Sequence, residues 1–134
     1  MKSAKVFAII LFISSVFTNC SPDRDYLFST NEIITNGTWN VEFFADDNKT
    51  AAFNTYSFQF KSNGKLYGTN GVKPVEGNWN VIRDVDRTDV LTINMNEQGN
   101  VGELSNVWSV KSKSTAAFAF KAKGNTTELR LRKL

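Results

Sequence analysis

The chain contains no histidine and only one cysteine, Cys20, among its 134 residues. Without histidine there is no Ser–His or Cys–His pair to activate a nucleophile, and no Cys/His zinc site. A run of about 20 apolar residues, the length that crosses a bilayer as a helix, is also missing. The longest apolar stretch is Val6 to Phe17, twelve residues interrupted only by Ser14 and Ser15. A marked excess of one charge is absent too. Once Lys2 and Lys5 are set aside, 14 basic side chains face 13 acidic ones, so the sequence pI of about 9.1 overstates the basic character. The basic residues are scattered along the chain, and no nucleic-acid footprint is expected.

What is present begins with an export signal. Lys2 and Lys5 precede the apolar run, and no charge follows until after Pro22. A short uncharged run behind a basic start reads as a removable signal h-region. A buried globular helix would show a polar face, and this run shows none. Cys20 stands where the run ends, after Phe17-Thr18-Asn19 and before Ser21. The placement resembles a lipobox, in which the thiol receives a diacylglycerol and Cys20 becomes the first mature residue. Asn19 and Phe17 depart from the small residue and the leucine usual there. The rival is ordinary signal cleavage, which would leave a free thiol in an oxidising compartment. Ser21 rather than Asp after the cysteine, with Asp23 and Asp25 close by, resembles lipoproteins sent to the outer membrane. The expected partition is residues 1–19 as signal, 20–36 as lipid-anchored linker and lead-in, and 37–134 as one domain.

From Gly37 onward the pattern has period two, cut by turn signals every eight to twelve residues. Strands are expected over Thr38–Ala45 (Trp39, Val41 and Phe43 in phase), Phe53–Lys61 (Tyr56, Phe58, Phe60), Lys65–Gly68 and Pro74–Ile82 (Val75, Gly77, Trp79, Val81). Four more follow over Val90–Met95 (Leu91, Ile93, Met95), Leu104–Lys111 (Trp108, Val110), Thr115–Lys121 (Phe118, Phe120) and Thr127–Lys133 (Leu129, Leu131). Asn63-Gly64 marks a hairpin of the primed-turn kind. Asp46 to Lys49 reads as a loop, and one helical turn is expected before Gly37. Eight short sequential strands with no crossover helix predict an all-β, antiparallel up-and-down barrel, since closure removes bare edges. Gly68 and Gly77 would supply bends at barrel corners. A two-sheet β-sandwich is the alternative.

Gly37-Thr38-Trp39 opening the first strand, then Tyr56 to Phe60, Asn63 to Lys65 and Gly77-Asn78-Trp79, follow one another in a characteristic order. With Trp108-Ser109-Val110, they resemble the bacterial lipocalin-like lipoproteins across roughly Ile33 to Lys133. The resemblance implies a barrel whose first tryptophan, Trp39, packs at the closed end beneath an arginine of the last strand, Arg130 or Arg132. It also implies a non-catalytic protein that binds a small apolar ligand or a glycan fragment. The chain is shorter than most lipocalins and has neither their C-terminal helix nor their disulfide, which argues against a spacious cavity.

Two readings of the interior follow. Trp39, Tyr56, Phe58, Phe60, Trp79, Trp108, Phe118 and Phe120 would all turn to one side, and they would line a ligand pocket or fill a solid core. Asp84, Asp86 and Asp89 crowd one loop, but the loop lacks the glycine and terminal glutamate of an EF-hand and is read as solvated rather than as a calcium site. No catalytic residue, cofactor or metal is expected. The expected partners are the membrane, through the Cys20 lipid, and either a small hydrophobic ligand or an envelope protein.

Overall fold

A computed structural model describes residues 28–134. Cys20 and the expected signal lie outside that range. The chain opens on a short helix, α1 (Thr30–Ile34), started by a reciprocal cap. The Ser29 hydroxyl accepts from the Glu32 amide, and the Ser29 amide donates to the Glu32 carboxylate at 2.7 Å. Each bond satisfies a donor that the first helical turn leaves unpaired.

Eight strands follow: β1 (Trp39–Phe44), β2 (Ser57–Phe60), β3 (Lys65–Thr69), β4 (Pro74–Arg83), β5 (Asp89–Met95), β6 (Asn106–Lys113), β7 (Ala117–Ala122) and β8 (Glu128–Lys133). Each pairs antiparallel with the next, and β8 returns to β1, so the sheet closes in sequence order. This is the up-and-down barrel that the turn spacing predicts, and closure sets aside the open sandwich. Alternation supplies the core. Phe58 and Phe60, Leu91, Ile93 and Met95, Phe118 and Phe120, and Leu129 and Leu131 are all buried. Among the described residues the core cluster runs from Ile33 to Leu131, so α1 and all eight described strands lie within residues 28–134.

The structure corrects the expected pattern in four places between β1 and β3 and again in β6, which runs Asn106–Lys113 instead of Leu104–Lys111. In β1 the register slips between Val41 and Phe43, so Glu42 and Phe43 both face outward and Phe44 takes the buried position expected of Phe43. Such a bulge places two residues opposite one and reverses the phase beyond it. Next, Asp46 to Lys49 is not a loop. Asp46 caps a second short helix, α2 (Asp47–Ala51), by accepting from the Lys49 amide at 2.8 Å. Third, β2 begins only at Ser57, and Phe53 enters the core from the segment after α2 instead of from a strand. Fourth, at the β2–β3 hairpin Gly64 alone has positive φ, and its amide bonds back to the Lys61 carbonyl. That is a three-residue loop ending in a left-handed residue, not a two-residue primed turn.

Gly68 and Gly77 face inward, where side chains need the room. A Cβ on Gly68 would sit 2.6 Å from the Phe58 ring and 2.9 Å from Val75. The aromatic ring therefore lies directly on the β3 backbone.

Candidate functional site

The eight aromatics singled out in the sequence all lie in the barrel, and seven are buried; Tyr56, just before β2, is half-exposed at the rim. Their rings pack in three clusters, one of them the Phe60–Trp79 pair at 5.6 Å. Phe53 meets Phe44, Tyr56 and Phe58 at centroid separations of 5.5, 6.2 and 6.4 Å, and Phe44 meets Trp108 at 6.1 Å. Nearer α1, Trp39 lies 5.3 Å from Phe118, which stacks on Phe120. Edge-to-face and offset contacts at these distances are the preferred aromatic geometries. Trp39 and Trp108 are wholly buried, and each ties its indole N–H to a backbone carbonyl, Ile34 at 2.9 Å and Leu104 at 3.0 Å. A buried indole with its one donor satisfied is a structural element of the core.

The arginine expected over Trp39 is elsewhere. Arg130 and Arg132 alternate with the inward Leu129 and Leu131, so both point away from the core. The Arg130 guanidinium sits 4.7 Å over the outward Phe43 ring, and Arg132 pairs with Glu42 at 2.7 Å. Trp39 is covered by α1 and Phe118 instead.

The end of the barrel beside α1 carries the polar chemistry. A second bulge, between Val110 and Ser112, shifts the phase of β6 and brings Lys113 opposite the inward Phe118. The bulge thereby aims Lys113 at the barrel mouth, a re-aiming that bulges commonly achieve. Its ammonium lies 3.3 Å from the Phe28 carbonyl and 3.8 Å from the Asp89 carboxylate. Thr30 is buried and donates its hydroxyl to Asp89 at 2.5 Å, and Arg83 reaches Asp89 at 3.3 Å. Partial burial pushes the Asp89 carboxyl up, but the Thr30 and Arg83 hydrogen bonds and the charges of Lys113 and Arg83 together outweigh it and hold the group below the ordinary carboxylate value. The carboxylate accepts from Thr30 and Arg83 and lies within ion-pair distance of Lys113.

Two surface depressions flank α1, and Asn31 and Val81 border both. One, about 500 Å³, is walled by Asn31, Glu32 and Thr35 of the α1 segment and by the Ser62–Gly64 turn, over Trp79. Trp79 is held there by its indole N–H, which is shared between the Lys61 and Lys65 carbonyls at 2.9 and 3.0 Å. The other, about 490 Å³, lies over the Thr30–Asp89–Lys113 cluster. The remaining carboxylates of the acidic loop diverge: Asp84 pairs with Lys123, and Asp86 accepts from the Thr88 amide. Sequence reading placed Trp79 in the candidate set but missed Thr30, Arg83, Asp89 and Lys113 as a group. Only the bulge and the folding-back of α1 bring them together, and neither has a local sequence signal.

No family model matches the chain, and no curated protein matches it either. Among solved structures, a DUF4847 family protein from Bacteroides vulgatus ATCC 8482 is similar with a TM-score of 0.57 and 19% identity, over 78% of this chain and 96% of that one. At that identity the likeness shows the shared fold, a closed eight-stranded antiparallel barrel in this chain.

Proposed function

We propose that this protein is an exported lipoprotein, anchored to the outer membrane through Cys20, whose barrel is packed solid and which works without catalysis, through its outer surface. The observation that carries the reading of the interior is the aromatic series. Each ring expected to line a pocket packs against at least one other aromatic ring, and Trp39 and Trp108 are both sealed and hydrogen-bonded. Small barrels filled by their own side chains leave binding to their ends and loops. The depressions beside α1 are then the contact surface for an envelope protein. A second reading keeps a small ligand, an apolar molecule or glycan fragment. The depression over Trp79 favours it, because it joins an aromatic floor to amide and hydroxyl side chains at a volume suited to a small molecule.

The anchor is tested by cell fractionation with palmitate labelling. Wild-type protein should sediment with membranes and take up label, and Cys20→Ala should do neither. Label retained by the Cys20→Ala protein would overturn the lipoprotein reading.

A further inference from the structure

The basic side chains are concentrated toward the end of the chain, and the fold gathers them on one side. From Asn106 to Leu134 the chain carries seven lysines and arginines against one acidic side chain, Glu128. From Phe28 to Ser105 the balance reverses, with ten acidic side chains to six basic ones. The first stretch is β6, β7 and β8, three neighbouring strands and therefore one flank of the barrel.

Most of these cations face solvent. Lys121 and Arg130 are exposed on adjacent strands, opposite Glu128 and Ala119 respectively, and Arg132 follows opposite Ala117. Lys111 extends the row to β6. Among the described residues, ion pairs engage Lys113, Lys123 and Arg132, and none joins Lys111, Lys121, Arg130 or Lys133. The small Ala117 and Ala119 between them keep the face low, so long cationic side chains are its outermost groups.

We infer that this flank rests against an anionic phospholipid surface. Two further observations select that occupant. The charge is spread over three strands instead of converging on a pocket, which suits a plane of distributed phosphates better than a discrete ligand. The segment before α1 also meets the barrel at its mouth next to β6, the first strand of this flank, where Lys113 donates to the Phe28 carbonyl. The segment from Cys20 to Ser29 spans at most about 30 Å when fully extended. Under the anchored reading, on which this orientation rests, a tether of that length joined at the edge of β6 lets the basic flank lie against the bilayer. A lipid anchor and a cationic face together hold a protein more firmly than either alone.

The test uses residues 21–134, the proposed mature chain less Cys20, in co-sedimentation with lipid vesicles. At about 50 mM salt, binding to vesicles with about 30 mol % phosphatidylglycerol should exceed binding to pure phosphatidylcholine by about ten-fold or more, because each cation near the surface adds several-fold. At about 0.5 M salt, where screening reaches within a few ångströms, the difference should vanish. The double variant Lys111→Gln, Lys121→Gln, which keeps the Arg130–Phe43 contact, should lose most of the low-salt binding at an unchanged melting temperature. Equal binding to neutral and anionic vesicles would overturn the inference, whether or not the variant folds. So would undiminished binding by a folded variant, or capture by polyglutamate with none by the vesicles, which would point to an acidic protein instead. The assay contains no Cys20, so its failure stays distinct from a failure of palmitate labelling.

Discussion

The indole Nε1–H of Trp39 donates to the Ile34 carbonyl at 2.9 Å, and this bond fastens the last turn of α1 to the first residue of β1. Through it the helix covers the barrel end, and Ile33, Ile34 and the Trp39 ring become one buried block. Trp39→Ala should cost about 3–5 kcal/mol, the range for truncating a buried tryptophan, and lower the melting temperature steeply. Trp39→Phe keeps most of the volume but leaves the Ile34 carbonyl unpaired, and should cost about 1–3 kcal/mol. Chemical denaturation of the two variants measures both. A melting curve unchanged in Trp39→Ala would mean the helix is not fastened this way.

Gly68 gives a prediction about packing on the strand backbone. The Phe58 ring occupies the space where a Cβ would stand. Gly68→Ala should therefore destabilise by about 1–3 kcal/mol, although alanine is otherwise no worse than glycine in a strand. Pairing it with Phe58→Leu should recover part of the loss, and a double-mutant cycle reads the coupling directly.

Arg87 is strained. It holds φ at 66° at the end of the β4–β5 turn, where its amide bonds to the Asp84 carbonyl. That position matches Gly64 in the β2–β3 turn, which has the same backbone sign and the residue suited to it. A left-handed conformation costs a non-glycine residue about 1–2 kcal/mol, partly offset by the entropy that glycine loses on folding. Arg87→Gly should therefore stabilise the barrel by roughly 0.5–1 kcal/mol, measured as a shift of the denaturation midpoint at constant slope.

The Asp89 cluster predicts a pH dependence. Its carboxyl is held below the ordinary value in the folded protein, so the stability it brings is complete above the unfolded-state pKa of about 4 and is lost as pH falls through the lower folded value. Asp89→Asn should be less stable than wild type by about 1–2 kcal/mol near neutrality, and the gap should close at acid pH. A gap that stays constant from pH 6 to pH 2 would show that the charge on Asp89 contributes nothing.

Much of the barrel is legible as alternation. Leu91, Ile93 and Met95, or Phe118 and Phe120, announce buried faces because a strand inverts its side chains at every residue. The bulges are not legible. Nothing in Val41-Glu42-Phe43-Phe44 says that two residues will share one partner, so Phe43 reads as core when Phe44 is. The same irregularity in β6 hides Lys113, which alternation would never aim at Asp89. α2 was concealed by its length, since five residues carry no helical period. The basic flank was hidden differently: the excess of lysine and arginine after Asn106 is visible in the sequence, but which of those side chains share one face is fixed only by the pairing of β6, β7 and β8. What the aromatics do could not be read from their phase alone, since a lined pocket and a filled core share one pattern and differ only in whether the rings touch.

The central claim is that the interior is full. It is tested most directly by titrating residues 21–134 with an environment-sensitive apolar probe, such as anilinonaphthalene sulfonate, and with a long-chain fatty acid, while following tryptophan emission. The packed barrel predicts no saturable uptake of either and no change in the emission of the buried Trp39 and Trp108. Saturable uptake, with emission changes abolished by Trp39→Phe or Trp108→Phe, would contradict it and return the protein to the ligand-carrying reading.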